Sequence, residues 1–422
     1  MKLLRLIFGV LAISFASCGS DDTPEPEPTP PVTTSERTVL VYMAADNNLN
    51  NFSVIDLNEM LTGSKSLSDK QNLIIFVDQK DSKKTPFYMR AKDGKFVDST
   101  SVSDTPSSDP AVLEEALRYV RDKYPAKSYG LVLWGHATGW LFKNDTIAYA
   151  KTRAYGLDDG AYPSTWMNIP SMARAIRNGM NGEKLTFIHG DCCNFGTVEV
   201  AYELRNVADY IIGSPAEIPD YGNDYTNLSG LFDTSDTFYK KIIDLYWDYY
   251  LSEFKNKPNR YYVQDYGDLA GYSVPLMAVK TSELENLASA TATLLSTIPD
   301  KLKPAGTLNL NNSLSYACND YLLHNYDMYK TLKENTSEAA FNDWKQAFEK
   351  AVIYNRPSAH WYTTISKLRT AMVNFDEAKS ADSHVLAMFF PGNTYKNVYP
   401  SWNTTIQRTQ WNGPISWQQY GW

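Results

Sequence analysis

The stretch KLTFIHGDCCNFGTVEVAYELRNVADYIIGSP, residues 184–215, decides the fold. It begins with a short apolar run, KLTFIHG, continues through a segment with helical spacing, TVEVAYELRNV, and ends with a second β-rich run, DYIIGSP. A strand, a helix and a strand in this order predict a parallel sheet covered by helices. At the end of the first run stand His189, Asp191, Cys192 and Cys193. In such sheets functional groups gather where strands end at their carboxyl edge.

The same alternation continues towards the N-terminus. Continuous apolar runs predict strands buried on both faces at TVLVYMAA (38–45), LIIFVDQ (73–79) and YGLVLWGH (129–136). Helical spacing occurs in FSVIDLNEMLTG, DPAVLEEALRYVRDKY and MNIPSMARAIRNGM, and FYMRAKDGKFV predicts a hairpin that turns at Asp93-Gly94. The predicted fold class is therefore α/β with a mostly parallel central sheet.

Composition indicates a globular protein and argues against a nucleic-acid partner and a disulfide scaffold. The chain has 422 residues, 43% of them hydrophobic and 21% charged, which is typical of a globular protein with one large domain or two. The net charge of -8 provides no basic stripe for a phosphate backbone, so we expect no nucleic-acid partner. Four cysteines are too few for a disulfide scaffold.

The N-terminus has the features of a targeting segment. Residues 1–17 combine basic positions with an apolar core, LLRLIFGVLAISFA, and predict a signal peptide. FASCG resembles a bacterial lipobox, which implies cleavage before Cys18 and lipidation of its sulfur. The following GSDD looks like the acidic stretch of surface lipoproteins in Bacteroidetes, and so implies an outer-membrane, cell-surface location. Residues 18–36, rich in proline and acid, predict a solvated tether. A plain secretory signal is the alternative.

The two adjacent cysteines allow three interpretations. A zinc site lacks the usual C-x2-C spacing and a partner pair, so we expect no metal. A vicinal disulfide between Cys192 and Cys193 would leave neither sulfur free to act as a nucleophile. In the third interpretation one thiol is the nucleophile, and His136, at the end of another predicted strand, is its base. The imidazole and the start of the following helix are expected to lower the pKa of the thiol.

Four ordered motifs carry a resemblance to a known family. TVLVYMAADNNLN, LVLWGHATGW, GDCCNFGTVEVAYELRNVADYIIGSPAEIP and HVLAMFFPG resemble successive landmarks of the clostripain-like cysteine peptidases, peptidase family C11. The resemblance implies a caspase-like α/β/α sandwich with a catalytic domain over 37–270. Residues 271–422 are expected to form a C-terminal α/β extension packed on that domain, in which 273–298 predicts a long helix.

The resemblance also implies the roles of individual residues. It assigns the base to His136, the nucleophile to Cys193, and the selection of a basic Arg or Lys side chain to Asp191. The implied reaction is endopeptidase cleavage after Arg or Lys through an acyl-enzyme. Cys192 as the nucleophile and His189 as the base remain alternatives. Lys143, Lys151 and Arg153 follow the histidine and are candidates for self-cleavage.

Cofactors and partners follow from the same reasoning. No cofactor is expected to be required, and calcium is implied by the resemblance alone, because the sequence has no EF-hand pattern. The expected partners are protein or peptide substrates and a membrane reached through the lipid anchor, and the expected state is a monomer. The competing interpretations are a non-enzymatic surface lipoprotein that binds glycans or proteins, and an inactive peptidase homologue.

Overall fold

One sheet of nine strands organises the part of the chain that the structure describes. The computed structural model describes residues 34–80, 85–142, 155–160, 164–261, 273–310, 315–316, 325–358, 360–362, 372–374, 383–392 and 401–422. All of these lie in the second of two units, Met1–Thr33 and Thr34–Trp422, into which the chain divides. The predicted signal peptide, Cys18 and most of the predicted tether lie outside the described residues.

The described strands alternate with helices along the chain. The strands are β1 Ser35–Ala45, β2 Gln71–Gln79, β3 Phe87–Lys92, β4 Lys95–Ser101, β5 Ala126–Trp134, β6 Tyr155–Asp158, β7 Thr165–Met167, β8 Leu185–Asp191, β9 Ala208–Gly213, β10 Leu276–Lys280, β11 Tyr326–Asp327, β12 Val352–Arg356, β13 His360–Tyr362, β14 Met372–Asn374 and β15 Ala387–Met388. The main sheet has the order β12-β10-β9-β8-β5-β1-β2-β3-β4.

The centre of the sheet is parallel and its edges are antiparallel. Strands β9, β8, β5, β1 and β2 pair in parallel. β10 and β12 extend one edge in antiparallel fashion, and β3 and β4 extend the other. The predicted hairpin is confirmed, since Asp93 and Gly94 both have positive φ, 51° and 75°, as a tight two-residue turn requires. The predicted α/β class with a mostly parallel sheet is confirmed.

Helices cover both faces of the sheet. The described helices are α1 Asn50–Ser64, α2 Pro110–Lys123, α3 Ile169–Gly179, α4 Val198–Leu204, α5 Phe238–Asn256, α6 Leu284–Leu295, α7 Pro299–Leu302, α8 Met328–Asn335, α9 Glu338–Ala351, α10 Trp402–Thr405 and α11 Asn412–Ile415. α1 and α5 pack on one face, and α2, α3, α4, α6 and α9 pack on the other. No described helix is long and apolar enough to cross a bilayer.

The sheet separates two hydrophobic cores, and the sequence of each strand determines which side chains pack into each core. Along β1, Leu40 and Tyr42 enter one core, and Val41 and Met43 enter the other. This alternation explains why a strand buried on both faces has a continuous apolar sequence. α2 begins where predicted, because the Asp109 side chain accepts the Ala111 N–H at 2.9 Å and proline occupies the first turn.

The predicted long helix over 273–298 is wrong in its first half. Leu276–Lys280 forms strand β10, and only Leu284–Leu295 is α-helical. Met277 and Val279 enter one core while Leu276 and Ala278 enter the other, as in a strand buried on both faces. Antiparallel pairing with β9 and β12 decides the conformation of this five-residue run. The late run SHVLAMFFPG contributes only the two-residue strand β15.

Candidate active site

Two adjacent parallel strands deliver the candidate pair to one edge of the sheet. β5 and β8 pair so that Trp134 lies opposite Asp191. His136 and Cys193 each stand two residues beyond these positions, so both emerge at the carboxyl edge of neighbouring strands. They line one cleft, together with Leu49, Trp134, Gly135, Asp191, Ile218, Pro219, Asp220 and Gly222. Carboxyl edges of parallel strands are where α/β proteins bind ligands.

A glycine turn directs His136 into the cleft. Gly135 has φ +141°, and a Cβ at this position would lie 3.0 Å from the Ala44 carbonyl oxygen, so glycine is required. His136 Nε2 lies 2.8 Å from Asn48 Oδ1. Since that amide oxygen only accepts, the neutral ring donates through Nε2 and carries its lone pair on Nδ1. The Gly156 N–H donates to the His136 carbonyl at 2.8 Å and fixes the backbone.

Cys192 and Cys193 have different surroundings. Both are free thiols, so they form no disulfide in this structure. Cys192 is fully buried in the core beneath α2, α3 and α4, whereas Cys193 is half-buried and packs against the other core. The Ile218 N–H points at Cys193 Sγ over 3.5 Å. Of the two thiols, only that of Cys193 lines the cleft.

The expected lowering of the thiol pKa is wrong for this structure. Burial raises the pKa of Cys193 above its usual value, and the nearby Glu217 carboxylate raises it further. α4 begins only at Val198, five residues after Cys193, and it has seven residues. The thiol is therefore neutral before catalysis, and its ionisation requires a proton acceptor.

Asp191 lies at the base of the cleft in a fixed orientation. Its Oδ2 accepts the Asn223 N–H at 3.0 Å and the Tyr225 hydroxyl at 2.7 Å, and its Oδ1 accepts the Tyr246 hydroxyl at 3.1 Å. A carboxylate offers about four acceptor positions, so three donors leave one. Burial raises the pKa of Asp191 despite these hydrogen bonds. A cationic group close by would stabilise the ionised form.

A second buried carboxyl lies behind Asp191. Trp134 Nε1 donates to Asp56 Oδ2 at 2.5 Å, and Asp56 is fully buried. Burial and the neighbouring Asp191 raise the pKa of Asp56 well above its usual value. Burial also raises the pKa of Glu59, whose carboxylate accepts the Tyr225 N–H, to about 7. Several carboxyl groups with raised pKa values therefore lie close together at the base of the cleft.

Sequence reasoning missed Asn48, Asp56, Glu217 and Asp220. Asn48 belongs to the DNNLN motif, so the motif itself was a signal, although nothing in it marked this position as the partner of His136. Glu217 and Asp220 lie in SPAEIPDYGNDY, a loop that approaches the cysteine only through the tertiary fold. His189 lies in the interior, where burial lowers its pKa to about 4, and it packs against the Tyr246 ring with centroids 5.9 Å apart.

The remaining predicted residues fall in parts of the chain that the structure does not describe. Lys143, Lys151 and Arg153 lie outside the described residues, as does Cys18. Within the described ranges, no group of three or more His, Cys, Asp or Glu side chains is arranged to hold a metal ion.

Comparison with known proteins shows similarity to one peptidase family. The sequence pattern of the clostripain family matches residues 41–421. Clostripain of Hathewaya histolytica is 28% identical over 194 residues, which are 40% of this chain and 36% of that protein. The match therefore spans little more than a third of the curated relative.

Two solved structures cover nearly the whole chain. A secreted C11 cysteine protease from Bacteroides thetaiotaomicron, in complex with an irreversible peptide inhibitor, has a TM-score of 0.73 and 28% identity, with 91% of this chain and 99% of that chain covered. An inactive zymogen C11 protease from Parabacteroides distasonis has a TM-score of 0.71 and 24% identity, with 91% and 99% covered. These likenesses confirm the predicted caspase-like fold.

Proposed function

Because the chain belongs to the clostripain family of cysteine peptidases, we propose that it is an endopeptidase that cleaves peptide bonds after Arg or Lys with a Cys193–His136 dyad. The observation that carries this proposal is the register of β5 and β8, in which Trp134 faces Asp191 two residues before each member of the dyad. Both side chains line the same cleft.

The proposed reaction begins at the neutral thiol. His136 takes the Sγ proton, and the sulfur attacks the scissile carbonyl carbon to give a tetrahedral intermediate. The resulting imidazolium gives its proton to the leaving amine, and an acyl-enzyme remains on Sγ. Water, deprotonated by the same imidazole, then attacks the thioester carbonyl and releases the acid and the thiol. The contact with Asn48 supports this role, because it orients the ring and stabilises its charged form.

Asp191 is proposed to select the basic side chain. Its carboxylate lines the cleft and has one acceptor position left after three hydrogen bonds. A guanidinium or ammonium group there would form a charge-assisted hydrogen bond and would favour the ionised form of Asp191. Asp220 also lines the cleft and adds negative charge near the entrance of the substrate. A neutral substrate side chain would bring no positive charge to these carboxyl groups.

Hydrolysis of a peptide series tests both parts of the proposal. Fluorogenic peptides ending in Arg, Lys, Leu or Asp should be tested in reductant, with calcium or chelator, using the wild type and Cys193→Ala. We expect cleavage of the Arg and Lys peptides only, loss of all cleavage in Cys193→Ala, and retained cleavage in Cys192→Ala. Cleavage lost only in Cys192→Ala would reverse the choice of nucleophile. Glycan binding without hydrolysis of any peptide would favour the non-enzymatic interpretation.

Self-cleavage after Lys143, Lys151 or Arg153 is a second part of the proposal. Its support is the sequence, which places three basic residues soon after His136. Intact mass after incubation should reveal a cut in the wild type and an intact chain in Cys193→Ala. Equal fragmentation of both proteins would contradict self-cleavage.

The proposed location is the outer membrane, with the protein as a lipid-anchored monomer facing the cell exterior. The lipobox-like FASCG and the acidic GSDD support it. Cys18→Ser should abolish incorporation of labelled fatty acid and release the protein from the membrane fraction. Continued labelling of Cys18→Ser would contradict the anchor, and light scattering of the purified chain would test the monomer.

A further inference from the structure

Asn325 connects the C-terminal part of the chain to the loop that carries the nucleophile. It is 1% exposed. Its Nδ2 group donates one hydrogen bond to Asn194 Oδ1 and another to the Pro215 carbonyl, each at 3.0 Å. An amide nitrogen has two hydrogens, so both are used. Its backbone carbonyl accepts the Tyr316 N–H at 2.9 Å, which fixes Asn325 itself.

Asn194 determines where the Cys193 backbone points. It follows the cysteine directly and has φ +58°, a conformation that asparagine tolerates better than most residues. Its N–H donates to the Ala216 carbonyl at 2.8 Å. The backbone of Gly139 also packs closely against Asn194, since a Cβ at Gly139 would lie 2.7 Å from the Asn194 carbonyl oxygen. The backbone after Cys193 therefore has little room to move, and Asn325 also holds the side-chain oxygen of Asn194.

Pro215 belongs to the second segment that contacts the thiol. Three residues later, the Ile218 N–H approaches Cys193 Sγ at 3.5 Å. The amide of Asn325 thus spans the two loops that contact the sulfur, one after β8 and one after β9. Without it, Asn194 Oδ1 and the Pro215 carbonyl would each lose a buried donor.

We propose that Asn325 is a positioning residue of the peptidase, which sets the orientation of Cys193 by joining the loops that follow β8 and β9; this inference rests on the proposed function. It does not contact the substrate or the sulfur. Other contacts keep the C-terminal segment in place, since Ala387 N–H donates to the Gly196 carbonyl at 3.0 Å and Phe389 N–H donates to Glu199 at 2.8 Å. Loss of the Asn325 amide should therefore affect the geometry of the thiol more than the attachment of this segment.

The test compares Asn325→Ala and Asn325→Asp with Asn335→Ala. Asn335 is a matched control, because it is 2% exposed and its amide also donates two hydrogen bonds, to the Asn309 and Thr331 carbonyls at 2.9 Å. Asn325→Asp keeps the side-chain size and removes both N–H donors, so it serves if the alanine variant fails to fold. Each protein should be assayed for kcat and KM, for thermal midpoint, and for the rate of Cys193 alkylation by iodoacetamide across pH 6–9, quantified by peptide mass.

We expect kcat to fall about 10- to 100-fold in both Asn325 variants, with KM changed less than about threefold, as for a displaced reacting group. The pH profile of Cys193 alkylation should shift or its plateau rate should change in the same variants. Asn335→Ala should lower the thermal midpoint without changing either readout. Asn325 variants that match Asn335→Ala in kcat and in alkylation would overturn the inference. If the wild type cleaves no peptide, the proposed function fails, while the alkylation profile still tests the position of the thiol.

Discussion

Glu199 connects helix α4 to the C-terminal segment, and its buried carboxyl group allows a sharp test of this contact. It lies in the first turn of α4, is 1% exposed, and accepts the Phe389 N–H on Oε1 at 2.8 Å. Its other oxygen has no hydrogen-bond partner among the described residues. Burial outweighs the hydrogen bonds and raises the pKa of Glu199 from 4.5 to about 8. The side chain is therefore protonated at pH 7 in the folded protein.

The pKa difference fixes both the sign and the size of the effect. Between pH 4.5 and 8 the folded state holds a proton on Glu199 that the unfolded state has lost, so stability falls as pH rises. The contribution is complete below pH 4.5 and is lost as pH rises through 8. At about 1.36 kcal/mol for each pKa unit, a shift of about 3.5 units is worth about 5 kcal/mol, of which about 4 kcal/mol disappears between pH 5 and 8.

Glu199→Gln isolates this contribution because the amide keeps the shape and does not titrate. Urea unfolding of both proteins should be measured from pH 5 to 9, and the free energies subtracted at each pH. The wild type should lose stability relative to the variant by about 1.4 kcal/mol for each pH unit up to about pH 8, and the difference should then stay level.

A control and a contradictory result complete the test. Glu285 pairs with Tyr202 and Arg205, which lower its pKa, so it is ionised in both states throughout this range. Glu285→Gln should therefore leave the slope between pH 5 and 8 unchanged. Parallel free-energy curves for the wild type and Glu199→Gln would refute the assignment of a neutral buried carboxyl at this position.

Three further predictions concern the cleft and its support. Asn48→Ala removes the hydrogen-bond acceptor of His136 and should lower kcat/KM about 10- to 100-fold, measured by peptide hydrolysis, whereas Asn58→Ala, at an exposed asparagine on helix α1, should not. His189→Phe should remove an acid-sensitive contribution: burial lowers the pKa of His189 from 6.5 to about 4, so the wild type should lose about 3 kcal/mol relative to the variant as pH falls from 6.5 to 4, measured by urea unfolding. Gly139→Ala should lower both the thermal midpoint and kcat, because its Cβ would lie 2.7 Å from the Asn194 carbonyl oxygen at φ +72°, while Gly182→Ala, at φ +84° with nothing within 4 Å, measures the backbone strain alone. Equal effects of the two glycine variants on kcat would contradict the proposed close approach.

Much of the sheet was predictable because its strands are buried on both faces. β1, β5 and β8 contain continuous apolar sequences, and polar residues stand at or just beyond their carboxyl ends. Because functional groups of parallel sheets gather at that edge, the sequence predicts that His136 and Cys193 lie close together. The hydrophobic pattern did not identify β10 as a strand, because its five residues are too few to distinguish a strand from a helix by periodicity. Its conformation depends on strands that lie far away in sequence.

The surroundings of the thiol were not predictable for a different reason. Asn194 and Asn325 are 131 residues apart, and Asn48 and His136 are 88 apart, with no spacing pattern that connects either pair. The sequence showed an imidazole and a helix start near Cys193, both of which lower a thiol pKa, and it did not show burial or Glu217, which raise it. Burial is a property of the assembled cleft, so its effect on chemistry appears only in the structure.

The register of β5 and β8 limits how this protein can change in length. Because His136 and Cys193 reach one cleft from the ends of two paired strands, an insertion or deletion of one residue between Trp134 and His136, or between Asp191 and Cys193, would displace one member of the proposed dyad relative to the other. Loops that join strands to helices carry no such constraint from the sheet. Diversification and engineering of this scaffold should therefore change the lengths of loops. The spacing of one residue, Gly135 before His136 and Cys192 before Cys193, should stay constant.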